Sequence, residues 1–286
     1  MNDGPDPQDF SGLPSRPPPR PKPPRRDVPE PPPDLAGEDY SGLPEPPPRA
    51  QQTFPGMEEP ELPPERRLTA SKGLIGFLVA AAGTFLGAAV IGIVYAAAGA
   101  DLDDRSFIFV GTILQDCALI AAAFFITADL GKPSARTFGL RPFKRSAYGW
   151  LALAFVAYYA LAIVYSLVFN PPEEELPKEL GADEGLGLAI ATGVLLIVIA
   201  PFAEEIFFRG FLYQAFRNSF GVWPGAILSG LVFGVIHFEF FKLVQLAILG
   251  VILALLFERT RSLWPPIMLH AINNTLAFIY LMADSG

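Results

Sequence analysis

From Leu74 to Met282 the sequence repeats one device: apolar stretches of roughly 20 residues separated by short charged or proline-containing segments. A hydrocarbon core about 30 Å thick is crossed by about that length of helix. One such run fits a buried helix of a soluble protein. Several in succession do not, because a soluble fold cannot cover so many helices that are apolar all round. The expected fold is an all-α polytopic membrane protein with about seven transmembrane helices, at Gly73–Ala98, Ser106–Ala128, Tyr148–Phe169, Leu186–Phe208 or beyond, Trp223–Phe238, Leu243–Phe257 and Trp264–Met282.

Residues 1–70 have the opposite character. They hold most of the 30 prolines and no long apolar run, so they cannot bury enough surface to offset chain entropy and are expected to be disordered. This segment repeats a phrase, DFSGLPSRPPPR at Asp9–Arg20 and DYSGLPEPPPR at Asp39–Arg49. Proline-rich runs favour the extended polyproline II form that docks onto aromatic grooves. The expected organisation is a proline-rich tail over 1–70, with a cytoplasmic partner or else a low-complexity linker role, followed by a membrane domain over 71–286. No apolar leader precedes the first span, which is therefore expected to direct insertion itself.

Loop charges give an orientation. Arg66, Arg67 and Lys72 precede the first span, and Lys132, Arg136, Arg141, Lys144 and Arg145 follow the second. Arg209 and Arg217 follow the fourth, and Arg259 and Arg261 the sixth. The intervening loops are acidic, at Asp101–Asp104 and Pro171–Glu184. Lysine and arginine mark the cytoplasmic side, which places the tail there, in a plasma membrane. Trp223, Trp264 and Tyr148 suit interfacial anchors. The single cysteine, Cys117, excludes an internal disulfide and is expected to be a small packing residue. Glu258, Arg259 and Arg261 read as a solvated helix end, and Gln115 and Asp116 as interior hydrogen-bonding groups, Asp116 with a cavity-facing alternative. No nucleic-acid partner is expected.

Ionisable groups inside a membrane mark function by default. IAPFAEEIFFRGF, Ile199 to Phe211, sets two carboxylates and an arginine in an apolar span. Glu205 and Arg209 are four residues apart, on one helix face, with the acid N-terminal as ion pairs prefer. Glu204 lies about 100° round the helix without such a partner. A structural pair and a free carboxylate suited to acid–base chemistry are expected. Both histidines of the chain also fall in predicted spans. FGVIH puts Phe233 and His237 on one helix face, and HAINN does the same for His270 and Asn274, with Asn273 pointing elsewhere. Three chemistries fit a carboxylate, two imidazoles and a carboxamide. One is amide hydrolysis with an oxyanion site. Another is a divalent metal such as zinc held by Glu204, His237 and His270. The third is a proton or ion relay. No HExxH is present, and no serine sits in the three motifs.

EEIFFR, FGVIH and HAINN, in that order, resemble the EExxxR, FxxxH and HxxxN motifs of the CAAX prenyl protease type II family, also called CPBP or Abi. FRGFLYQ and SLWPPIMLHAINN are similar to it as well, and the resemblance covers about Ser146 to Met282. It implies an intramembrane endopeptidase acting on membrane-associated peptides or proteins in a water-filled cavity. By position, Glu204 and His237 activate water, His270 and Asn274 form an oxyanion hole, and Glu205, Arg209 and Phe233 support them. The family implies either a metal or a metal-free glutamate mechanism. The neutral Asn274, a good donor and poor metal ligand, favours the latter. A non-catalytic scaffold or bacteriocin self-immunity protein is the alternative. The hydrolytic reading requires the fourth span to continue to about Ala215. Otherwise Glu204 would lie near the cytoplasmic end of its helix and His237 near the outer end of the next.

Overall fold

The computed structural model describes residues 68–99, 105–169, 185–238 and 241–284. The expectations for the proline-rich tail and for the acidic loops at 101–104 and 171–184 fall outside these residues. The regular secondary structure of the described residues is helical, without strands, and residues 129–146 form a link of turns between the second and third helices. We number the helices α1 (Ala70–Ala97), α2 (Arg105–Ala128), α3 (Ala147–Phe169), α4 (Leu186–Phe220), α5 (Val222–Val235), α6 (Leu243–Thr260) and α7 (Trp264–Asp284). Among the described residues, α1, α2, α3, α4 and α6 are long and apolar enough to cross a membrane. Helix α5 is apolar but shorter.

Helix α4 organises the bundle. Ala203 through Tyr213 are all buried, with Phe207, Phe208 and Phe211 fully so. That all-round burial is what a helix without a polar face requires. Helices α1 and α3 instead turn large apolar side chains outward, as Leu167 at 82% exposure illustrates, which suits lipid. Two π-helical turns, Leu195–Ile199 and Phe208–Tyr213, interrupt α4 without ending it. Pro201 follows the first; it lacks an amide hydrogen and its ring would crowd the carbonyl four residues back, which a widened turn relieves. Side chains from other helices meet carbonyls in both wide turns: Asn274 Nδ2 donates to Leu196 O at 2.8 Å and Ser229 Oγ to Phe208 O at 3.3 Å.

The required extension of the fourth span is present. Helix α4 runs 35 residues and places Glu204 near its middle. At about 1.5 Å per residue the chain travels about 24 Å from Glu204 to Phe220 and returns about 22 Å from Val222 to His237. Glu204 and His237 therefore reach the same level. The return is tight because α5 and α6 cross through glycine. A Cβ on Gly250 would lie 2.7 Å from the Gly230 Cα, and one on Gly234 2.6 Å from the Leu243 carbonyl oxygen. Small residues are what let helix backbones approach this closely in a bilayer.

Three local expectations are corrected. His237 lies in the turn just beyond α5, not within the span, because the helix gives way after Val235. Cys117 is exposed, on the outward face of α2 rather than packed within the bundle. Glu258 is not a solvated helix end. It accepts from Arg217 Nε at 2.7 Å and Tyr213 Oη at 3.1 Å and pairs with Arg261 Nη2 at 2.8 Å, tying α6 to the end of α4. Arg259 does remain outside, over the Trp150 ring at 5.3 Å.

Candidate functional site

Helices α2, α3, α4 and α7, with the end of α5 and the start of α6, line a cavity of about 600 Å³. Glu204, His237, His270 and Asn274 all line it, as do Asn273 and Asp116.

The acidic pair of α4 divides as its helical spacing requires. Glu205 and Arg209, both fully buried, are joined by Arg209 Nη1 to Glu205 Oε1 at 2.6 Å. Arg209 Nη2 also donates to the Gly250 carbonyl at 3.3 Å, and the guanidinium lies 4.5 Å from the centre of the Phe233 ring. A cation out of water needs this much company. Glu204 has no such partner: its Oε2 is buried without a hydrogen bond among the described residues.

His270 stands between the two acids. Its Nδ1 is 2.9 Å from Glu205 Oε1, and its Nε2 faces Glu204 Oε2 at 3.8 Å. An ionised carboxylate only accepts, so Nδ1 carries the hydrogen and Nε2 is the nitrogen turned towards Glu204. In the neutral ring Nε2 is an acceptor; it donates only when the ring holds both protons. His237 is fixed by the same logic, since its Nδ1 lies 2.7 Å from the Phe233 carbonyl oxygen and must donate to it. Phe233 thus touches Arg209 and both histidines. Its carbonyl holds His237, and its ring packs against His237 at 4.7 Å and edge-on to His270 at 5.6 Å.

Asn274 spends one amide hydrogen on Leu196 O and its carbonyl oxygen accepts from Asn273 Nδ2, leaving the second amide hydrogen. Asn273 does not point away from the site. It accepts from Tyr159 Oη at 3.2 Å and lies 3.4 Å from the Asn274 oxygen, so the two amides act as one unit. Tyr159 was not singled out in the sequence. A tyrosine among the aromatic residues of α3 carries no signal of this contact.

The conditional metal set does not fit. Among the described residues no three histidine, cysteine, aspartate or glutamate side chains gather as ligands of one ion. Asp116 is another departure: buried as expected, it has no hydrogen-bond partner among the described residues.

Residues 186–276, which contain every one of these groups except Asp116 and Tyr159, match the family model described as type II CAAX prenyl endopeptidase Rce1-like. The chain is 28% identical over 136 residues to an Escherichia coli protein described as "Uncharacterized 24.3 kDa protein", covering 46% of this chain and 63% of that one. It is 29% identical over 82 residues to "Putative membrane peptidase YdiL" of Bacillus subtilis (strain 168), covering 29% and 34%. It is also 34% identical over 108 residues to the uncharacterized protein YyaK of the same bacterium, covering 34% and 36%. The matches span from about a third to just under two thirds of these relatives' lengths. No solved structure matches. Together with its apolar helices, this makes the chain a multi-pass membrane protein similar to membrane peptidases over its α4–α7 region.

Proposed function

We propose that the protein is an intramembrane endopeptidase of CAAX-protease-like, metal-free glutamate type, acting on membrane-associated peptides or proteins. The observation that carries this reading is His270 held between two buried glutamates at the cavity wall, with Glu205 bonded and Glu204 free. A free buried carboxylate beside an oriented imidazole is the equipment for activating water.

In this scheme Glu204 takes a proton from a water whose other hydrogen is accepted by His237 Nε2. The water oxygen bonds to the substrate carbonyl carbon, and the oxyanion receives the spare Asn274 N–H. His270 Nε2 adds a second hydrogen bond when its ring carries both protons, with Glu205 and Glu204 on its two sides. The carbon–nitrogen bond then breaks as Glu204 returns its proton to the departing amine. Arg209 neutralises Glu205, leaving Glu205 to position the imidazole. The chain is placed in the plasma membrane with its lysine- and arginine-rich loops, and residues 1–70, on the cytoplasmic side. The proline-rich segment serves as a docking arm outside the catalytic domain.

The test compares membrane peptides from cells carrying the wild-type chain and Glu204→Gln, by mass spectrometry. Peptides that accumulate uncut in the variant, and are cut by purified wild-type protein in nanodiscs with a chelator present, are the expected result. Equal cutting by Glu204→Gln, or cutting that stops with chelator and returns with zinc, overturns the scheme.

A further inference from the structure

One carboxylate of the cavity has no part in the hydrolytic scheme. Asp116 is only 2% exposed and shares the inward face of α2 with Leu119 and Ala123. It lines the cavity beside Thr112 and Gln115, and neither of its oxygens has a hydrogen-bond partner among the described residues. Glu204 Oε2, on the same cavity, is equally without one. Two carboxylates in one cavity out of bulk water oppose each other, and three of their four oxygens lack the donors that make burial tolerable.

The charged and titratable groups around Asp116 offer no relief. Helix α4 presents Glu204, with Arg209 already given to Glu205. Helix α7 presents His270, whose Nδ1 is given to Glu205, and the turn after α5 presents His237, whose Nδ1 is given to Phe233. Lys242, before α6, also lines the cavity and is engaged in an interaction of its own. Helix α1, packed against α2, has Lys72 as its one charged residue, and that pairs with Asp129 at 2.8 Å. The cavity is rich in acceptors and short of free cations. A neutral amide hydrogen would satisfy an oxygen but leave the repulsion; a proton taken up by one acid removes the repulsion, and a cation answers both while the two acids stay ionised.

We propose that Asp116 is a specificity-determining residue that binds the ammonium or guanidinium group of a basic side chain, so that peptides drawn into this cavity carry lysine or arginine beside the bond to be cut. The inference rests on the peptidase reading for its substrate class, and binding and cutting are therefore read separately.

The experiment uses the full chain in nanodiscs and a set of membrane-inserted polyleucine peptides in which one residue is scanned through the sequence as lysine, norleucine or acetyl-lysine. Affinity is read by fluorescence and cutting by mass spectrometry. At one register the lysine peptide is expected to bind about tenfold tighter than either neutral counterpart. Asp116→Asn should abolish that advantage while changing norleucine-peptide affinity by less than about twofold, and Asp116→Glu should restore it. The three-peptide comparison on wild type stands even where Asp116→Asn does not fold. Absence of a lysine preference at every register, its survival in Asp116→Asn, or acetyl-lysine binding as well as lysine overturns the proposal. Preference without cutting refutes the peptidase reading alone; cutting without preference refutes this inference alone.

Discussion

Exchanging each of the adjacent glutamates for glutamine should separate support from chemistry. Glu205 and Arg209 are both fully buried and 2.6 Å apart, so Glu205→Gln leaves a guanidinium without its countercharge, beside a neutral amide oxygen, the Gly250 carbonyl and the Phe208 and Phe233 rings. Removing one partner of a buried ion pair costs about 3–5 kcal/mol. The His270 hydrogen bond to the same oxygen becomes weaker at the same time. For a domain of this size each kcal/mol corresponds to about 2–4 °C, so melting should fall by about 6–20 °C. Glu204→Gln is the opposite case. Glu204 Oε2 has no hydrogen bond to lose among the described residues, only His270 Nε2 facing it at 3.8 Å, and removing a buried charge without a hydrogen-bonded partner costs little. Its melting temperature should lie within about 3 °C of wild type while peptide cutting disappears. The assay is thermal unfolding in one detergent, followed by intrinsic fluorescence, with cutting measured below both transitions. A Glu204→Gln protein that melts at or below Glu205→Gln would refute the division of roles.

Asn274→Ala should free the Leu196 carbonyl in its widened turn and cost about 1–3 kcal/mol, read as a lower melting temperature. If its spare N–H meets the oxyanion, kcat should also fall about 10²–10³-fold, with KM changing little. Gly250→Ala puts a Cβ at 2.7 Å from the Gly230 Cα and must part α5 from α6. A loss of about 1–3 kcal/mol is expected from the overpacking alone, with a sharper loss of cutting because His237 moves with α5; unchanged melting would contradict the crossing.

The three motifs were legible because each is local. Spacing by four puts Glu205 on Arg209, and Phe233 on His237, wherever the helix sits. The depth of Glu204 was not legible in the same way. Arg209, Gln214, Arg217 and Asn218 look like the exit of a span, and only their partners undo that impression: Arg209 is sheathed by Glu205 and Phe233, and Arg217 by Glu258. The Glu205–His270 contact joins residues 65 apart, and Tyr159 meets Asn273 across 114, so neither leaves a periodic trace. Cys117 and Asp116 are neighbours in an apolar run, and helix rotation alone sends one outward and the other into the cavity. That rotation was readable for Asp116 only as an alternative.

The size of the chamber sets a condition on anything that enters. A cavity of about 600 Å³ is small beside a whole spanning helix of about 20 residues, so only a short stretch of a guest lies against its polar groups at one time. Sorting would then begin with how readily a peptide frays there, before any side chain is read.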